Sequence, residues 1–184
     1  MYNRNLATRV KTGKVRLSFC NVWEPKASFD GAKPKYSVSV IVPKSDTKTV
    51  EAINKAIEAA YEEGLGKLKG NGKTAPALST LHVPLRDGDL ERPDDEAYKD
   101  SYFFNANSIT PPGIVDADRN EILDHTEIYS GVYARVSCTF YAYNTGTAKG
   151  IACGLNNIMK LADGDSLTGR ISAADDFADD DLLS

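Results

Sequence analysis

Residues 129–144, Tyr-Ser-Gly-Val-Tyr-Ala-Arg-Val-Ser-Cys-Thr-Phe-Tyr-Ala-Tyr-Asn, constrain the fold more than any other stretch of the chain. At period two they split into two faces. Val132, Ala134, Val136, Cys138, Phe140 and Ala142 form an apolar side that must be packed. Tyr129, Gly131, Tyr133, Arg135, Ser137, Thr139, Tyr141 and Tyr143 form the other. A solvated face usually carries Lys, Glu and Thr, whereas this one carries four tyrosines and an arginine. Two readings fit. Either the tyrosines are buried under a helix or second sheet, or aromatic rings are displayed beside a cation, as stacking bases and holding phosphates requires.

The same alternation occurs earlier. Val15, Leu17 and Phe19 oppose Lys14, Arg16 and Ser18, which predicts a half-buried strand with a cationic wet face. Glu24-Pro25-Lys26 is expected to break the ladder, since proline cannot donate to it. After an Asp30-Gly31 turn, Tyr36, Val38, Val40 and Val42 oppose Lys35, Ser37, Ser39 and Ile41. Two neighbouring Lys/Ser faces, joined by a loop with Trp23, Lys26, Phe29 and Lys33, suit either a solvated hairpin or a groove for an anionic chain.

Asp46 is placed to cap a helix in which Val50, Ile53, Ile57, Ala60 and Tyr61 recur at helical spacing, stopped by Gly64 and Gly66. Leu78–Leu85 reads as a short strand, and Tyr102-Phe103-Phe104 as an aromatic cluster leading into Asn105-Ala106-Asn107. Asn144-Thr145-Gly146 is a hairpin turn leading to a strand over Lys149–Lys160.

Several chemical motifs fail on spacing. Gly72-Lys73-Thr74 resembles the end of a phosphate-binding loop, but the first glycine of that motif falls on Lys67. Asp116, Asp118, Asn120, Asp124 and Glu127 have calcium-loop spacing, yet Glu121 stands where the sharp turn needs glycine. His82 and His125 are not spaced as a metal pair, and no nucleophile–base set can be assembled. No cofactor and no catalytic residue is expected.

The formal net charge of −4 is unevenly spread. Residues 1–48 hold ten Lys/Arg against three Asp/Glu, and residues 171–184 hold five Asp and no cation. The overall acidity therefore does not exclude a nucleic-acid partner. No apolar run approaches the roughly 20 residues of a membrane span, so no membrane partner is expected. Three cysteines without Cys-x-x-Cys spacing suit a reducing cytoplasm.

Several strands, one helix and long loops predict a mainly β fold, best matched by the five-stranded oligonucleotide-binding (OB) barrel with loop insertions. The expected organisation is a flexible basic arm (1–13), a barrel domain (14–170) and a disordered acidic tail (171–184). On this fold the nucleic-acid-binding candidates are the aromatics Trp23, Phe29, Tyr102, Phe103, Tyr133, Tyr141 and Tyr143. The cationic candidates are Lys14, Arg16, Lys26, Lys33, Lys35 and Arg135. Together they are expected to form one continuous surface centred on residues 129–144.

Four stretches resemble a family of bacteriophage-encoded single-stranded-DNA-binding proteins with an OB fold. They are Ser-Phe-Cys-Asn-Val-Trp-Glu-Pro-Lys (18–26), Lys-Tyr-Ser-Val-Ser-Val-Ile-Val-Pro-Lys (35–44), Ile-Tyr-Ser-Gly-Val-Tyr-Ala-Arg-Val-Ser (128–137) and Lys-Gly-Ile-Ala-Cys-Gly-Leu-Asn-Asn (149–157). The resemblance covers roughly residues 12–170. It implies a non-enzymatic, sequence-independent ssDNA binder in phage replication or recombination, working in the cytoplasm of the infected host. A homo-oligomer is compatible with it. The ending Asp179-Asp180-Asp181-Leu182-Leu183-Ser184 is similar to acidic tails that compete with DNA and recruit replication or recombination proteins, although those commonly end in an aromatic and here Phe177 is set back. The alternative is a metal-dependent phage nuclease using carboxylates among Asp87, Asp89, Asp116 and Asp118.

Overall fold

In the computed structural model, which describes residues 6–168 and 176–178, the alternating stretches become strands of one closed sheet. In chain order these are β1 (Arg9–Lys11), β2 (Val15–Lys26), β3 (Lys35–Pro43), β4 (Arg86–Asp87), β5 (Ser101–Ser108), β6 (Gly113–Val115), β7 (Tyr133–Asn144) and β8 (Lys149–Ala162). β2 pairs with β3, β3 with β5, β5 with β8, β8 with β7, and β7 back with β2. That ring is the expected five-stranded OB barrel, antiparallel except between β5 and β8. β1 adds to β7, β6 to β8 and β4 to β5.

The barrel is filled from one face of each strand. Leu17, Val38, Val40, Phe104, Val136, Phe140 and Ile158 are almost completely buried, and the Phe104 and Phe140 rings meet at 5.8 Å between centroids. Each such side chain contributes roughly 1.5–3 kcal/mol, so this interior supplies the main drive for folding. The apolar face of residues 132–142 lies inside as its alternation requires, Cys138 included. Helix α1 (Thr47–Glu63) buries Ile53, Ala56, Ile57 and Ala60 in the same core. The Asp46 carboxylate caps it, accepting from the Thr49 backbone N–H at 3.2 Å and the Thr49 hydroxyl at 2.7 Å.

Five details differ from the sequence reading. Part of the arm expected over 1–13 is strand β1, because Thr8, Val10 and Thr12 alternate inward and Thr12 exchanges hydrogen bonds with Val136. Gly64 ends α1, but the chain re-enters a short helix α2 (Leu65–Lys69) that buries Leu68. Residues 78–85 hold a 3-10 turn (Leu78–Thr80) and a single bridge from His82 to Gly150 instead of a strand. β2 continues through Pro25 with an irregular register, so the proline distorts the ladder without ending the strand.

The fifth is the most consequential. Between the pairs Ser18–Ser39 and Asn21–Ser37, β2 spends three residues where β3 spends two. This bulge puts Phe19 at φ 48° and turns it out of the core, 55% exposed. Conversely Ile41, expected on the wet face, is buried with Tyr98 and Phe103 under the segment that includes helix α3 (Gly88–Glu91).

Candidate nucleic-acid interface

The loop joining β2 to β3 overhangs the outer barrel face and encloses an open cleft of about 410 Å³. Its walls include Lys26, Phe29, Lys33, Lys35, Ser37 and Asn107. The sequence explains the shape: a turn closed by Ala32 N–H to the Phe29 carbonyl (3.0 Å), with Gly31 at φ 85°, projects Phe29 outward, 70% exposed. Ser37 pairs with Asn107 across β3 and β5, giving a polar floor. Lys26 and Lys35 are direct cross-strand partners. Like charges placed opposite one another destabilise a strand pair, a cost that a bound anion removes. Among the described residues none of Lys26, Lys33 and Lys35 forms an ion pair.

Other candidates lie elsewhere on the barrel, several of them bonded or packed against neighbours. At the start of β2, Lys14 and Arg16 flank the Tyr133 ring at 4.8 and 5.3 Å. The Arg16 guanidinium donates to the carbonyls of Gly131 (3.0 Å) and Asp165 (2.7 Å), so its charge staples two loops. Gly164 backs the same ring so closely that a Cβ there would approach it to 2.8 Å. Lys26 lies ten positions along β2 from Arg16, roughly 30 Å of extended chain. The candidates thus gather at the two ends of β2, about Tyr133 and about Phe29.

Trp23 is half-buried, its ring stacked on His125 at 4.3 Å and its indole N–H 3.4 Å from the Ile128 carbonyl. Phe103 is 4% exposed and packs edge-on against Tyr98 at 5.0 Å, so it offers no free face. Tyr102 lies beside Lys44, 5.2 Å from its ring. Tyr141 is exposed near the far end of β7, its phenol pushed above the usual range first by partial burial, and Tyr143 lies near His82 and Gly150. Arg135 is exposed but donates to the Thr12 carbonyl at 2.8 Å and shares a second, smaller basic pocket with Lys11.

Of the carboxylates considered for a nuclease, Asp87, Asp89 and Asp116 are held by neighbours. Lys44 bonds both Asp87 (3.0 Å) and Asp89 (2.8 Å), holding both carboxyls below their ordinary range. Asp116 accepts from the Asp118 and Asn120 backbones, and Glu127 pairs with Lys160. Among the described residues no three His, Cys, Asp or Glu side chains converge on a common point.

A family model described as the ssDNA-binding protein of Enterobacter phage Enc34 matches residues 8–183. The chain belongs to this family. A curated relative, putative protein p50 of Acyrthosiphon pisum secondary endosymbiont phage 1, is 26% identical over 178 residues, covering 93% of each chain. The solved structure of the single-stranded DNA-binding protein from bacteriophage Enc34 in complex with ssDNA superposes with a TM-score of 0.75 at 23% identity, covering 88% of this chain and 90% of that one. The ssDNA-binding protein gp2.5 of bacteriophage T7 superposes with a TM-score of 0.62 at 15% identity, covering 89% and 97%. These likenesses establish the OB-like barrel of the Enc34 family in this chain.

Two features of this family member escaped the sequence reading. Asn107 could have been found, since Asn105-Ala106-Asn107 alternates polar and apolar in phase with Phe104 inside. Phe19 could not, because nothing in Phe19-Cys20-Asn21 announces a bulge. The tail residues Asp179, Asp180, Asp181, Leu182 and Leu183 lie outside the described residues.

Proposed function

We propose that this chain binds single-stranded DNA without sequence preference on the outer face of its barrel, as a non-catalytic protein of phage DNA replication or recombination in the host cytoplasm. The observation that carries this reading is the cleft of Lys26, Phe29, Lys33 and Lys35, whose cations form no ion pair among the described residues. Lysines on the cleft walls track phosphates in any sequence, and an exposed phenyl ring stacks on any base for ~1–3 kcal/mol. Ser37 and Asn107 offer hydrogen bonds at the floor without a fixed pattern for one base. In this reading the remaining candidates Lys14, Arg16, Trp23, Tyr102, Phe103, Tyr133, Arg135, Tyr141 and Tyr143 serve mainly to hold or flank that surface. The acidic segment 171–184 competes with DNA for the cations and recruits partner proteins through Asp179–Leu183. Tethered carboxylates reach a high effective concentration, so its deletion tightens binding, most at low salt.

The test is fluorescence anisotropy of a labelled dT oligomer across a salt series. Affinity is expected to fall linearly in log–log form, by about 0.7 per phosphate neutralised. A mixed-sequence single strand should bind nearly as well, and duplex much more weakly. Duplex binding as tight as single-strand binding overturns the reading, and Mg²⁺-dependent cleavage of either overturns its non-catalytic part.

A further inference from the structure

Phe19 is an exposed phenylalanine held in the left-handed region, at φ 48°, where residues with a Cβ rarely sit. Such a conformation persists only when its surroundings enforce it. Here they do. The Asn21 amide donates to the Phe19 carbonyl and to the Ser37 hydroxyl, both at 3.3 Å. The bulge is thereby fastened to a residue that lines the lysine cleft. The Arg92 guanidinium lies over the Phe19 ring at 4.9 Å and over those of Tyr98 and Phe103 at 4.8 and 5.8 Å, which ties the Phe19 ring to this aromatic cluster. Beneath this stack, the Ser39 hydroxyl and the Tyr98 phenol are 3.1 Å apart, which anchors it to β3.

We propose that the open side of the Phe19 ring is a nucleobase-stacking platform, forming one end of a single-strand path whose other end is Phe29. This rests on the ssDNA reading above and adds a subsite to it. A ring backed by a guanidinium is fixed in orientation by cation–π attraction and keeps one face toward solvent. Any base has a π-face that can cover it, and doing so removes apolar surface from water. Between Phe19 and Phe29 run Asn21, Ser37 and the lysines of the cleft, so a strand stacked at both ends passes its phosphates over the cations. The backbone strain is then what aims the ring, since regular alternation would turn residue 19 inward with Leu17.

Phe19→Gly and Phe19→Leu separate this role from packing. Glycine adopts φ 48° without penalty, so the thermal midpoint of Phe19→Gly should be unchanged or higher. Its affinity for a dT oligomer should fall roughly tenfold, with the salt slope unchanged because no phosphate contact is lost. Phe19→Leu keeps apolar bulk without a π-face and should lose a similar factor, whereas Phe19→Tyr should bind like the parent. Undiminished dT affinity in the glycine or leucine variant overturns the proposal. So does a marked fall in the glycine variant's midpoint, which would assign the ring to packing. Failure of the parent protein to bind dT at all would instead overturn the ssDNA reading on which the subsite rests.

Discussion

The two ends of β2 use the same residue types in opposite ways. At its start, Lys14 and Arg16 close on Tyr133, and two of the arginine's five N–H donors hold the Gly131 and Asp165 carbonyls. At its end, Lys26, Lys33 and Lys35 stand around Phe29 and form no ion pair among the described residues. An aromatic ring beside a cation is thus not in itself a binding site. In the proposed reading the difference lies in whether the cation already holds backbone carbonyls and whether a ring face remains open.

Substitutions can break this contrast, and the largest effect should come from the buried side. Phe103→Ala should cost about 3–5 kcal/mol of stability in urea unfolding while the folded fraction binds dT normally. A stable Phe103→Ala that fails to bind would move the site onto that ring. Arg16→Ala removes two hydrogen bonds from a charged donor and should cost about 1.5–3 kcal/mol of stability, leaving the salt slope of binding near its parent value. A slope reduced by about 0.7 would show that Arg16 contacts a phosphate. The Lys33→Ala/Lys35→Ala double variant should behave the other way, with unchanged stability and a salt slope smaller by about 1.4. An unchanged slope would remove the cleft from the account.

The smallest expected effect concerns Lys44 with Asp87 and Asp89. These carboxyls are lowered from 3.8 chiefly by hydrogen bonds from Lys44, so their stabilisation is present above that value and lost as pH falls through the lowered one. Their exposure keeps the contribution small. Asp87→Asn/Asp89→Asn should therefore flatten the acid limb of a stability–pH profile, and parallel limbs would show that the pair contributes nothing.

Much of the barrel was legible because period-two alternation is a local signal. Residues 132–142, 36–42 and 15–17 declared their inner faces directly, and Asp46 its cap. The site was legible only in part. The β2–β3 loop with Lys26, Phe29, Lys33 and Lys35 lies close in sequence, so its cleft could be anticipated. The engagement of Arg16 by Asp165, of Trp23 by His125 and of Phe103 by Tyr98 depends on long-range packing that composition does not encode. The bulge at Phe19 is likewise set by the register against β3, and one extra residue reverses the face of a side chain.

The proposed DNA path runs along the β2–β3 hairpin end and not over Tyr133. Amide chemical-shift mapping with a dT oligomer tests this most directly. The account expects the large shifts at residues 19–21, 26–37 and 105–107, with residues 131–135 and 164–165 nearly still. Shifts concentrated around Tyr133 and Arg16, with the hairpin unmoved, would contradict it.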